Sequence, residues 1–293
     1  MIAAATAMTT ATARKLRRWA RDMAGNLASR PVLVRQDGLI IGQPAHAWVS
    51  GQLARAWGNE TFPAPSPREP FCLAAEQHDV GWADTDLAPS AGPDGRPLSF
   101  MQQPRAAHVA IWRAAARRLL AQSRYAALLV SLHGTSLYER VDADAEPPDV
   151  GAAIRAYLAA ERALQAELAA GLDGAEIDRN RLLLLALDRL SLMLCHGRAT
   201  TIEEVPAARG PTAIRVEPAA AAGAAPAGRD DRAVPGETAT ERFAVSPWPF
   251  AAASVAVGCE GRRLVRPVAD DAELRAALAA APWVPLRWEL SPG

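Results

Sequence analysis

The stretch Arg181–Cys195, RLLLLALDRLSLMLC, decides how this chain is read. It lies inside a helical pattern that runs from Ile177 to His196 and is apolar on nearly every side except at Asp188. A buried, unpaired carboxylate in such a helix is costly enough to demand a metal ion or an arginine partner. The same Asp188, followed by Arg189, ends the most apolar run, Leu182–Leu187, far short of the roughly 20 residues that a bilayer requires. The helix therefore belongs to a mostly helical core and not to a membrane.

Working upstream, three more helical patterns run from Val150 to Leu172, from Tyr125 to Arg140 and from Ala107 to Gln122, and the last two carry His133 and His108. FCLAAEQHDVGW predicts a helix ending near Gly81, with His78 and Asp79 in its last turn, followed by a polar loop over ADTDLAPSAGPDGRPLSF. HAWVSGQLARAW predicts a helix with His46 in its first turn and Trp48, Leu53 and Trp57 near one face. Before it, VLVRQDGLIIG reads as a hairpin, with Asp37-Gly38 suited to a type I′ turn. Downstream of Gly197, TTIEEV, TAIRV, ASVAVGCEGRRLV and VPLRWEL are β-prone, with a short helix between Asp270 and Ala281.

The expected class is α+β: a mostly α domain over 31–200, joined on one core to a β-rich region over 201–293. The N-terminal hairpin and the C-terminal strands are expected to form a small antiparallel sheet. Residues 1–30 read as a loosely ordered extension or the product of an upstream start codon. The Ala-, Gly- and Pro-rich segment of about 217–241 cannot build a core and reads as a flexible insertion.

Composition narrows the function. Half of the residues are hydrophobic and 22% charged, which fits a soluble globule, and Lys+Arg equals Asp+Glu at 32 each. No global basic field exists to hold a nucleic-acid backbone or an anionic membrane, so the expected partner is a small molecule. Cys72, Cys195 and Cys259 form no C-x-x-C pair, which fits neither a disulfide framework nor a zinc knuckle and agrees with a reducing cytoplasm. Arg dominates the basic residues and Ala is abundant, the codon bias of a GC-rich bacterial genome.

Imidazoles and carboxylates fixed on separate helices are what a hard or borderline divalent metal requires. Adjacent His78 and Asp79 can serve one ion through the ring and reach a second through the carboxylate. The order His46, His78-Asp79, His108, His133, Asp188 resembles the HD-domain superfamily of metal-dependent phosphohydrolases. The resemblance implies that His46, His78, Asp79 and Asp188 bind one metal, Fe, Mn or Mg, and that His108 and His133 admit a second, with Asp79 bridging. It further implies a hydrolase in which a metal-activated water attacks a phosphoester or nucleotide-like substrate, with Asp79 at the centre and Arg140 or Arg189 supplementing the positive charge. The same six ligands also occur in HD-type di-iron oxygenases, and a metal- or nucleotide-binding module without turnover is the third alternative.

The stretches QPAHAWVSGQLARAW, AAEQHDVGW, SFMQQP, YAALLVSLHGTSLYER and LDRLSLMLCHG also resemble an uncharacterised bacterial family known only as a domain of unknown function. Where many HD phosphohydrolases place a lysine shortly after the His-Asp pair, this chain has Trp82, with Asp84 and Asp86 beyond it and Arg105 as a further cationic replacement. Trp82 can stack on a ring-shaped substrate or simply pack, as Trp112 and Tyr138 do. Glu76 and Gln77 can orient ligand imidazoles or lie on an exposed face. His196, just before Gly197, reads as a C-terminal helix cap.

Overall fold

The structure, a computed structural model, describes residues 33, 35, 37–98, 102–219 and 240–293. The expected extension over 1–30 lies outside the described residues, as does the expected insertion apart from its ends. The architecture is α+β: a group of helices packed against a six-stranded sheet. The helices are α1 (Gln43–Ala56), α2 (Arg68–Gln77), α3 (Ala83–Leu87), α4 (Arg105–Leu119), α5 (Arg124–Tyr138), α6 (Pro148–Leu168), α7 (Gly174–His196) and α8 (Asp271–Ala280). The strands are β1 (Leu39–Ile40), β2 (Thr200–Val205), β3 (Thr212–Pro218), β4 (Glu241–Ser246), β5 (Val255–Arg263) and β6 (Trp283–Pro292), in the order β1-β5-β6-β4-β3-β2.

The long apolar run is α7, and its ends are set by local chemistry. The Asp173 side chain accepts from the Ala175 amide at the start. At the end Gly197 takes φ 64, its amide reaches Leu194 O and the Arg198 amide reaches Met193 O, a Schellman closure. His196 is the last residue of the helix and the basic side chain of its last turn, ahead of that glycine. No helix among the described residues is long and apolar enough to cross a membrane.

Three expectations need correction. The first five residues of the expected polar loop form α3, because Asp84 pairs with Arg118 of α4 and Asp86 accepts the Gln43 amide at the start of α1. The hairpin turn is not type I′. Gly38 donates to Arg35 O, Arg35 and Leu39 face each other across three residues, and of Asp37 and Gly38 only the glycine has positive φ. Trp48 is half exposed, since α1 buries His46, Val49, Ser50 and Leu53 instead, which follow the 3.6-residue period.

The sheet differs from the antiparallel expectation at one pair, where β4 runs parallel to β6. In β6 every second residue, Val284, Leu286, Trp288 and Leu290, is buried, the two-residue period of a strand with one face on a core. One continuous core joins this face to α1, α2, α5 and α7. The Gln52 side chain fixes α1 on the sheet by donating to Gly258 O at 2.7 Å and accepting from Gly258 N at 3.0 Å. On the other side of α1, Gly51 meets α2 so closely that a Cβ there would lie 2.6 Å from Glu76 Cβ. That approach brings the first turn of α1 to the end of α2, where His46 and His78 meet.

Candidate metal centre

Four elements converge on a buried group of imidazoles and carboxylates. His46 comes from the first turn of α1, His78 and Asp79 from the end of α2, His133 from the middle of α5 and Asp188 from the middle of α7. All five are buried, His78 completely. The ring centroids of His46 and His133 lie 5.1 and 5.0 Å from that of His78, so the three imidazoles surround one space.

The hydrogen bonds fix which nitrogen faces that space. His78 Nδ1 lies 2.9 Å from the Ala75 carbonyl, which can only accept, so Nδ1 carries the proton and a neutral ring presents a lone pair at Nε2. That Nε2 is buried without a hydrogen bond, 3.4 Å from Asp188 Oδ1 and 3.6 Å from Asp79 Oδ2. His133 Nε2 stands 3.7 Å from Asp188 Oδ2. His46 Nε2 is bonded to Asp79 Oδ2 at 2.7 Å, and its Nδ1 lies 2.9 Å from Ser191 Oγ. Ser191 Oγ donates to Asp188 O and receives the Ser50 hydroxyl, so a small hydroxyl chain orients the His46 ring from behind.

Two ligands of one ion, each about 2.1 Å from it, stand roughly 3.0–3.4 Å apart. The separations of His78 Nε2 from the two carboxylates are close to this. The group divides into two triads, His46–His78–Asp79 and His78–His133–Asp188, whose ligand atoms lie within 4.8 Å of one another. These buried groups can hold a metal ion. Without one, desolvation pulls the His78 pKa down but the Asp79 and Asp188 carboxylates outweigh it and raise it to about 9. Desolvation raises Asp188, yet the His78 interaction prevails and holds its carboxyl well below the usual range. Burial lowers His133 to about 4, leaving that ring neutral.

His108 is placed differently. It sits on α4 with Nδ1 against the Tyr138 hydroxyl, and its Nε2 receives the Trp112 indole N–H at 3.3 Å. Burial lowers its pKa to about 4. The structure thus joins His133 to Asp188 and His78, and sets His108 in an aromatic shell of Trp82, Trp112 and Tyr138 beside them. Of the cationic candidates, Arg189 hydrogen-bonds Thr200 Oγ1 on β2, Arg105 pairs with Glu146, and Arg140 follows the end of α5. Burial, with the like charge of Arg181, lowers the Arg140 pKa. Glu76 is drawn to Arg55 and Gln77 to Gln122, so both serve the surface.

The family described as protein of unknown function (DUF3891) matches residues 33–266. The chain belongs to the DUF3891 family. All five converging side chains fall inside the DUF3891 match, which spans α1–α7 and β1–β5. No curated protein and no solved structure matches this DUF3891 chain.

Ser50, Ser191 and the Ala75 carbonyl are site residues that the sequence reading did not single out. Two had a usable signal, since Ser50 follows His46 by one helical turn and Ser191 follows Asp188 by nearly one, on the same faces. The Ala75 carbonyl had none, because any helix end offers one.

Proposed function

We propose that this chain is a metal-dependent hydrolase of the HD type, acting on a phosphoester or nucleotide-like substrate, with one divalent ion held by His46, His78, Asp79, His133 and Asp188. The observation that carries the reading is His78 Nε2, a buried nitrogen with no hydrogen bond, 3.4 and 3.6 Å from two carboxylates. Because Nδ1 of the same ring is committed to Ala75, His78 offers one nitrogen, so the two triads that share it describe a single ion. The order of these residues keeps its resemblance to the HD superfamily with His108 left out.

A divalent ion in this position supplies Lewis acidity toward water and toward an ester oxygen. The chain's own groups do the rest. The Ala75 carbonyl and the Ser191 hydroxyl fix the rings of His78 and His46, so that the Nε2 atom of each would be left to the ion. Arg140, which follows the end of α5, is the cationic side chain proposed to supplement the positive charge toward an anionic group of the substrate. Arg189, held by Thr200, positions β2 against α7.

The test is elemental analysis of protein purified without added metal, followed by turnover assays on phosphomonoesters, nucleotides and cyclic dinucleotides with Mn, Fe or Mg. One equivalent of metal and a turnover abolished by Asp79→Ala are expected. Metal uptake without turnover of any of these would replace the hydrolase with a binding module, and iron-dependent oxygen uptake would replace it with an oxygenase.

A further inference from the structure

A cavity of about 570 Å³, with Trp82 in its wall, lies between the start of α1, the α3 segment, β5 and α8. Its size is that of a small-molecule site. Ile41, Leu98, Leu278 and the indoles of Trp82 and Trp283 give it apolar walls. Trp283 is 58% exposed, unusual for a tryptophan that the fold could have covered, and the Arg262 guanidinium lies over its ring at 3.9 Å.

The two guanidiniums and two carboxylates on the walls are unequally engaged. Arg262 is taken by the carbonyls at the end of α8, donating to Leu278 O at 2.7 Å, Ala281 O at 3.2 Å and Ala279 O at 3.3 Å. Arg275 is taken by Asp271 at 3.5 Å and by Pro89 O at 3.3 Å. The two carboxylates on the wall are less occupied. Glu260 has no side-chain hydrogen bond or ion pair among the described residues, and Asp86 uses only Oδ2, on the Gln43 amide at 2.6 Å. An anion entering the cavity would meet two carboxylates and two guanidiniums already engaged. A cation would meet two acceptors, with the indoles of Trp82 and Trp283 as apolar surface for the body that carries it.

We propose that this cavity binds an organic amine, an apolar or aromatic body carrying a protonated nitrogen, with Trp82 and Trp283 against the body and Asp86 and Glu260 receiving the ammonium group. The site does not depend on a metal being bound, so its failure would leave the hydrolase reading untouched, and the reverse also holds.

Three probes with similar bodies and different charge test it: 2-phenylethylamine, 2-phenylethanol and 3-phenylpropionate, titrated calorimetrically into the full chain at pH 8. The amine is expected to bind about tenfold or more tightly than the acid, with the alcohol between them. Glu260→Gln, an exposed change, is expected to weaken the amine about fivefold and leave the alcohol as it was. Asp86→Asn is expected to act the same way. Because Asp86 also holds the first amide of α1, Glu260→Gln decides the matter if that variant is unstable. Trp283→Ala is expected to weaken the amine and the alcohol together. Acid binding as tight as amine binding, no amine binding at millimolar concentration, or amine affinity unchanged by Glu260→Gln would each overturn the proposal.

Discussion

Helix α5 carries buried polar groups on two faces, and the two faces are built on opposite plans. Toward α6, Ser131 donates to Glu161 at 2.8 Å, Arg117 reaches the same carboxylate at 2.6 Å, and the Gln165 amide donates to Ser131 at 2.9 Å and Thr135 at 3.1 Å. Each of these side chains meets a complement within the protein, while the Tyr157 hydroxyl of α6, packed against Gly134, is buried without a hydrogen bond. On the other face His133 Nδ1 has no hydrogen bond, His78 Nε2 has none, and two carboxylates stand within 4 Å of His78 Nε2. A buried network that closes on itself secures packing, whereas one that leaves lone pairs facing carboxylates stores an affinity for something positive.

The largest expected break in this contrast comes from His78→Ala or Asp188→Ala. Either should abolish stoichiometric metal and reduce metal-dependent turnover by about a thousandfold or more, since the ion's contribution is several kcal/mol. Glu161→Ala should do the reverse. It takes the acceptor from Ser131 and Arg117 and is expected to lower stability by about 1–3 kcal/mol in a denaturant titration, with metal content unchanged.

The two faces should also separate with pH. The His78 pKa is raised from 6.5 to about 9 in the folded, metal-free protein. The stability this lends is full below about pH 6.5 and is lost as pH rises through 9. Metal binding needs the same nitrogen deprotonated and therefore strengthens over that interval. The metal-induced rise in Tm should grow between pH 6.5 and 9 in wild type, and should be absent in His78→Ala.

Smaller effects sharpen the boundary of the site. Ser191→Ala removes the oxygen behind the His46 ring and is expected to weaken metal binding about tenfold, measured by competition with a chelator. His108→Ala is expected to leave the metal stoichiometry of wild type intact, because His108 is bonded to Tyr138 and Trp112. Loss of a metal equivalent in that variant would restore His108 to the ligand set.

Much of this was written along the chain. Asp188 in an apolar helix, and His46 and His133 on helical faces, follow from local periodicity, which is a property of consecutive residues. What periodicity cannot supply is which faces meet. His133 groups with Asp188 instead of His108 because α5 presents it to α7, and α4 turns His108 toward Tyr138. The α3 turn was hidden for a similar reason: Asp84 and Asp86 look like solvated loop residues until Arg118 and the start of α1 are brought to them. The parallel pairing of β4 with β6 joins strands separated by β5 and α8, so no short window of sequence contains it.

That pairing bears on the order in which the molecule can assemble on the ribosome. The strand latest in chain order, β6, occupies the middle of the sheet, hydrogen-bonded to β5 on one side and β4 on the other. Until Trp283–Pro292 emerges, β1 with β5 and β2 with β3 and β4 are two separate ribbons, each with an open edge. All five ligand residues have by then been synthesised, but α1, which brings His46, leans on β5. The candidate ion site is therefore expected to reach its final geometry only after the last strand has slid between the two ribbons, so that a metal would be captured late in the making of each new chain.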